Sequence, residues 1–97
     1  MKTKDYIALT DFCSHYGIDE SIVLIFSEYE LVQLNTVNRK PHVSRDQLPN
    51  LERMLRLHLE LDINAEGLQA IQHLLDRVTD LQEELKLLKK RLERFHQ

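Results

Sequence analysis

The chain has 97 residues, 42% hydrophobic and 30% charged, with a net charge of −3, two glycines, two prolines and one cysteine. That length suits one small domain, or a compact domain with a helical arm, and the scarcity of turn formers favours helices over a turn-rich β fold. The charge argues against a chain built mainly to hold nucleic acid, one cysteine excludes an internal disulfide, and no apolar run approaches the ~20 residues of a membrane span.

Tyr6 to Leu9 reads as a short apolar strand. Thr10 follows as a helix N-cap, with Asp11 where the helix dipole favours an acid, and Gly17 stops that helix after Tyr16. Asp19 caps a second helix, and Ile18 before it can staple onto Val23. Ile22, Val23, Phe26 and Tyr29 share one face of this helix. Two short helices joined across Gly17 and Ile18 make a helix-turn-helix.

A polar hairpin comes next. Val32 to Thr36 alternates apolar and polar, Asn38-Arg39-Lys40-Pro41 turns, and His42-Val43 returns, which adds a wing to the helix-turn-helix. Ser44 opens a third helix, with Gln47 completing a capping box and Pro49 just beyond the first turn, where it would distort the helix start. Leu51, Met54, Leu55, Leu57, Leu59 and Leu61 occupy more than one face, so this helix is expected between two packed neighbours, the wing domain and the C-terminal segment. Asp62-Ile63-Asn64 breaks it. Asn64 caps a fourth helix, Ile63 can staple to Leu68, and a kink is expected near Asp76.

The fourth helix then enters a heptad seam. Leu74, Val78, Leu81, Leu85, Leu88, Leu92 and Phe95 alternate at spacings of four and three, with Val78, Leu85 and Leu92 at a. One amphipathic helix cannot shelter its own apolar stripe, so the seam needs a partner. Asp76, Asp80, Glu83 and Glu84 precede Lys86, Lys89, Lys90, Arg91 and Arg94. Parallel pairing would lay acid on acid, whereas antiparallel pairing sets each block against its opposite and brings Glu84 near Arg91 of the other chain. An antiparallel homodimer through Val78, Leu81, Leu85, Leu88, Leu92 and Phe95 is expected; the rival is a helix folded back onto its own N-terminal domain.

No constellation for catalysis stands out. His15, His42, His58, His73 and His96 are scattered without zinc spacing, and Cys13 with His15 gives too few ligands for a structural site. Cys13 reads as a buried packing residue. No glycine-rich phosphate loop is present, so neither cofactor nor metal is expected, nor an enzyme. DNA binding has the scaffold but not the charge: the second helix carries Asp19, Glu20 and Glu28, with Glu30 just after, and no Lys or Arg. Only Arg39 and Lys40 at the wing tip, with Arg45 nearby, could reach phosphate. The lack of a signal-peptide apolar region makes the cytoplasm the expected location.

The order helix-turn-helix, wing, third helix and dimerising helix resembles the MerR-like winged-helix group. Within it the chain is most similar to the chaperone-modulator (CbpM-like) family, through Thr10-Asp11-Phe12-Cys13-Ser14-His15-Tyr16-Gly17-Ile18, Arg56-Leu57-His58-Leu59-Glu60-Leu61-Asp62 and Arg91-Leu92-Glu93-Arg94-Phe95. DNA-binding members of the wider group place an arginine and aromatic residues on the second helix, where this chain has Leu24, Ile25, Phe26 and Glu28. The resemblance implies a small protein that binds and restrains a DnaJ/CbpA-like co-chaperone through its J-domain, whose second helix is strongly basic. By charge, Asp19, Glu20, Glu28 and Glu30 are the candidates to steer onto that helix and block its docking to Hsp70. A mainly all-α fold follows: a MerR-like winged helix-turn-helix with a β-hairpin wing over residues 1–62, then a long coiled-coil helix over 63–97. The alternative is a MerR-like DNA-binding transcriptional regulator using Arg39, Lys40 and Arg45.

Overall fold

In the computed structural model, which describes residues 5–96, the chain folds as a helix-turn-helix, a small sheet, a third helix and a long fourth helix. The strand expected at the N-terminus, β1 (Tyr6–Ala8), does not stand apart. It joins the wing strands β2 (Leu34–Val37) and β3 (Lys40–Ser44) in an antiparallel sheet of order β1-β3-β2. Val43 pairs with Ile7 on one side and Leu34 on the other, and is fully buried. The hairpin turns on Asn38 and Arg39, with φ of 52° and 67°, the left-handed pair that matches strand twist in a two-residue loop. Pro41, expected in the turn, lies in β3 opposite Thr36. It sits one residue beyond His42, the last residue paired with β1, so it avoids the doubly paired part of the sheet. The strand expected from Val32 starts later, because Leu31 and Val32 turn into the core.

Helix α1 (Leu9–Tyr16) also starts earlier than its Thr10 cap predicts. Ala8 is the N-cap and makes no side-chain cap bond. Pairing of Ala8 with His42 holds the chain extended to that residue, and buried Leu9 then begins the helix. Gly17 ends it as expected, at φ 64°, while the Ile18 N–H bonds back to the Cys13 carbonyl at 3.0 Å. Asp19 caps α2 (Glu20–Glu28) by accepting the Ser21 N–H at 2.9 Å.

The capping box at Ser44 does not form. Ser44 donates to the Asp46 carboxylate, and its Oγ accepts from Gln47 Nε2 at 2.9 Å. Gln47 instead clamps the main chain of Gln33, accepting its N–H at 2.7 Å and donating to its carbonyl at 2.9 Å. Arg45–Gln47 winds as a 3-10 turn, and α3 (Leu48–Leu61) begins after it. Pro49 therefore falls in the first turn of α3, where its missing N–H removes no intrahelical bond.

Leu51, Met54 and Leu55 of α3 are buried, yet Leu59 and Leu61 are 56% and 65% exposed. Both expected neighbours, the wing domain and the C-terminal segment, do pack on α3, but Leu59 and Leu61 lie outside what they cover. Leu68 of α4 (Ala65–Phe95) enters the same core as Leu51 and Met54, so the wing domain and α4 cover adjoining stripes of α3 and leave its far face open. Ile63, Ile71 and Leu75 pack on that core too, joining the first turns of α4 to the winged unit. Helix α4 runs 31 residues, continuous through the Asp76 region where the sequence suggests a kink. Asn64 caps it, accepting the Gly67 N–H at 2.8 Å.

Gly67 is fixed by space. A Cβ there would lie 2.8 Å from Ile63 Cγ2 and 3.2 Å from the capping Asn64 Oδ1. Alanine ordinarily gains ~1 kcal/mol over glycine inside a helix. Here Ile63, which packs on the core, must shift and the cap must stretch. Gly67→Ala should thus lose about 1 kcal/mol of stability in thermal denaturation, within the ~0.5–2 kcal/mol that losing a cap costs; a gain would show that Ile63 relaxes freely.

Candidate protein-interaction surfaces

Helix α2 places its predicted core face correctly: Val23 and Phe26 are buried, and Ile22 and Tyr29 are half-buried. Its outer face differs from the acidic surface expected of Asp19, Glu20, Glu28 and Glu30. Those four fall into two pairs, Asp19 and Glu20 where α2 begins and Glu28 and Glu30 where it ends, separated by ~12 Å at the helical rise. Glu20 is half-buried, and Glu30 lies past the helix in a left-handed turn at φ 60°. The Ser21 backbone N–H on the Asp19 carboxylate holds its pKa below the usual aspartate range, so this acid stays ionised while it caps the helix.

Between the two acidic ends the helix exposes hydrocarbon. Leu24 is 44% and Ile25 45% exposed, and Glu20, Leu24 and Glu28 form a row four residues apart. The pattern of acids alone misses these two apolar residues, although the i, i+4, i+8 row holds the signal that Leu24 faces outward. Leu59 and Leu61, expected on a covered face of α3, are exposed likewise.

The wing gathers only part of its predicted basic set. Arg39 forms the hairpin turn and Lys40 follows it at the start of β3, so the two sit together at the tip. Arg45 does not join them: it lies past the other end of β3, ~17 Å along the strand from Lys40. The distance follows from the length of β3, which the sequence places too short.

Cys13 is a core residue, as expected, and burial pushes its thiol pKa up, reinforced by Glu20 and Asp19. A thiol so placed is a poor nucleophile. Among the described residues no group of three or more His, Cys, Asp or Glu is placed to hold a metal ion, and no helix is long and apolar enough to cross a membrane. His15 packs edge-on against Tyr16 at 5.0 Å, and His58 edge-on against Phe26 at 5.7 Å.

The heptad seam lies open. Val78, Leu81, Leu85, Leu88, Leu92 and Phe95 are between 48% and 86% exposed, so within one chain the arm does not fold back onto its own domain. The molecule is accordingly elongated, 57 Å along its longest axis. Leu87 adds a further exposed leucine at position c, outside the seam.

Residues 7–90 match the family described as MerR HTH family regulatory protein. The chain is also similar to the Chaperone modulatory protein CbpM of Pseudomonas entomophila (strain L48), with 31% identity over 86 residues. That likeness spans 88% of this chain and 85% of the relative.

Proposed function

The chain belongs to the MerR HTH regulatory-protein family, in its CbpM-like branch, and we propose that it is a non-enzymatic, cytoplasmic chaperone modulator that occupies the J-domain of a DnaJ/CbpA-like co-chaperone. The observation that carries this reading is the exterior of α2. Where a DNA-reading helix would present cations to phosphate, this one presents exposed Leu24 and Ile25 between acids. Such a face repels a polyanion and attracts a basic protein surface, raising the rate of encounter before contact. A J-domain held there has its basic helix covered and is denied to Hsp70.

The open arm supports a homodimer in this reading. Two winged domains at the ends of an antiparallel coiled coil would offer two copies of the acidic face, so a dimeric co-chaperone could be engaged at both J-domains. The DNA-binding alternative retains Arg39 and Lys40 at the wing tip, with Arg45 at the far end of β3.

The test is the J-domain-stimulated ATPase of Hsp70. Added in excess over the J-domain protein, this protein should return the rate to its unstimulated level, and the double variant Glu28→Lys, Glu30→Lys should need roughly two- to thirtyfold more, the scale of two exposed ion pairs at ~0.2–1 kcal/mol each. Full stimulation in its presence, together with salt-sensitive retention on DNA, would replace the adaptor by a transcriptional regulator.

A further inference from the structure

Beside the exposed face of α2 runs an apolar groove of about 300 Å³. Its walls are Ile22, Ile25 and Phe26 of α2, Tyr29 capping that helix, His58 of α3 and Ala65 at the start of α4. These walls are braced. Gln69 Nε2 donates to the Tyr29 carbonyl at 3.0 Å, fastening α4 to the end of α2. His58 is held by its Nδ1 against the Ile63 carbonyl at 2.8 Å and by the edge of Phe26. The groove is therefore part of the fold. Its size is at the lower end for ligand sites, room for one or two large side chains.

Charge decides what kind of side chain arrives, and on what. No Lys or Arg occurs from Asp5 to Asn38 or from Leu57 to Asp76, the two stretches that supply every wall of the groove. Every fixed charge in the wall segments is an acid, with Glu66 at the groove itself and Glu28 on α2, about 60° round that helix from Ile25. An apolar slot among carboxylates complements a helix with one hydrocarbon stripe flanked by cations.

We propose that this groove is the docking site of a lysine- or arginine-rich amphipathic helix of a partner protein. A large apolar side chain seats between Ile25 and Ala65 while the basic residues meet Glu66 at the groove and Glu28 beside it on α2. The identity of the partner as a J-domain rests on the adaptor reading above; the chemistry of the site does not. Acids alone would bind any cation weakly, whereas the buried hydrocarbon anchor sets affinity and orientation.

The experiment uses the full chain and three probes: a fluorescein-labelled amphipathic peptide with leucine and lysine at helical spacing, a lysine oligomer of equal charge, and an isolated J-domain. Ala65→Phe plugs the groove, Ile25→Ser removes a half-exposed wall, and Leu59→Ser serves as a control on the open face of α3; far-UV circular dichroism confirms that each is folded. The amphipathic peptide should bind at least tenfold tighter than the lysine oligomer. Ala65→Phe or Ile25→Ser should weaken it at least tenfold, and Leu59→Ser should leave it unchanged. Equal binding of the two peptides, no binding, or indifference to both groove variants overturns the proposal. A wild-type chain that captures the peptide in the groove but ignores the J-domain upholds the site and defeats the adaptor reading. J-domain binding that survives plugging, with peptide binding lost, upholds both while placing the J-domain elsewhere.

Discussion

Replacing Leu85 by Asp should leave the protein monomeric at concentrations where the proposed dimer predicts that the wild type sediments as a pair. The seam residues set the expectation. If two arms run antiparallel and cross between Lys86 and Leu87, Leu85 meets the partner's Leu88, Leu81 meets the partner's Leu92, and Val78 meets the partner's Phe95, six a–d layers in all. Leu85 then lies in both central layers. Each leucine withdrawn from water contributes about 1.5–3 kcal/mol, so losing two removes roughly 3–6 kcal/mol before the cost of burying a carboxylate is added. At about 1.4 kcal/mol per decade, the dissociation constant should rise by at least a hundredfold. Because this residue is 53% exposed in the single chain, the domain itself should melt unchanged. A dimer that survives would move the interface away from the arm.

Orientation is separately accessible. In the proposed antiparallel pair Glu84 would lie beside the partner's Arg91, so Glu84→Cys and Arg91→Cys chains should crosslink when mixed and not when either is alone. Cys13 is buried and stays out of the exchange. The charge blocks are the reason to expect this arrangement: from Asp76 onward four of five acids lie at or before Glu84 and five of six bases at or after Lys86, Arg77 and Glu93 being the exceptions, so reversing one helix would convert most of the repulsion into pairing along the arm.

What could be read from the sequence divides by distance along the chain. Gly17, Asp19 and Asn64 act on backbone groups one to four residues away, and the structure realises each as expected. Ala8 could not be read as a cap, because what holds it extended is His42, far along the chain on β3. Gln47 looked like half of a capping box, but its amide is committed to Gln33, 14 residues earlier, and that contact outcompetes the local one. Pro41 is similar: its tolerance in a strand depends on where β1 stops. On the candidate site, the residue types on α2 were legible and their arrangement was not. Helical spacing puts Glu20 and Glu28 in line with Leu24, but only the packed core shows that Ile25 borders a groove closed by Ala65 and His58. The family resemblance could be drawn from short motifs because those motifs encode caps and core positions, which local physics preserves.

Phe26→Ala should destabilise the domain by about 3–5 kcal/mol, the cost of truncating a buried aromatic and leaving a cavity. Phe26 is 1% exposed on α2, beneath Leu24 and Ile25, and its ring meets the edge of His58. An aromatic pair of this kind adds about 0.5–1.5 kcal/mol beyond area burial, and the side chain also forms the floor of the groove. Domains this size have roughly 5–15 kcal/mol in total and lose about 4–8 °C per kcal/mol, so the melting temperature should fall by more than ten degrees. Leu24→Ala, two residues away but 44% exposed, should stay within about 1 kcal/mol of wild type. The pair separates support from contact. A partner that binds through the face of α2 should lose affinity for Leu24→Ala at full stability, whereas Phe26→Ala should lose both together. If Phe26→Ala melts within two or three degrees of wild type, α2 is not anchored in the core as described, and neither its acids nor its apolar face is held in place to meet a partner.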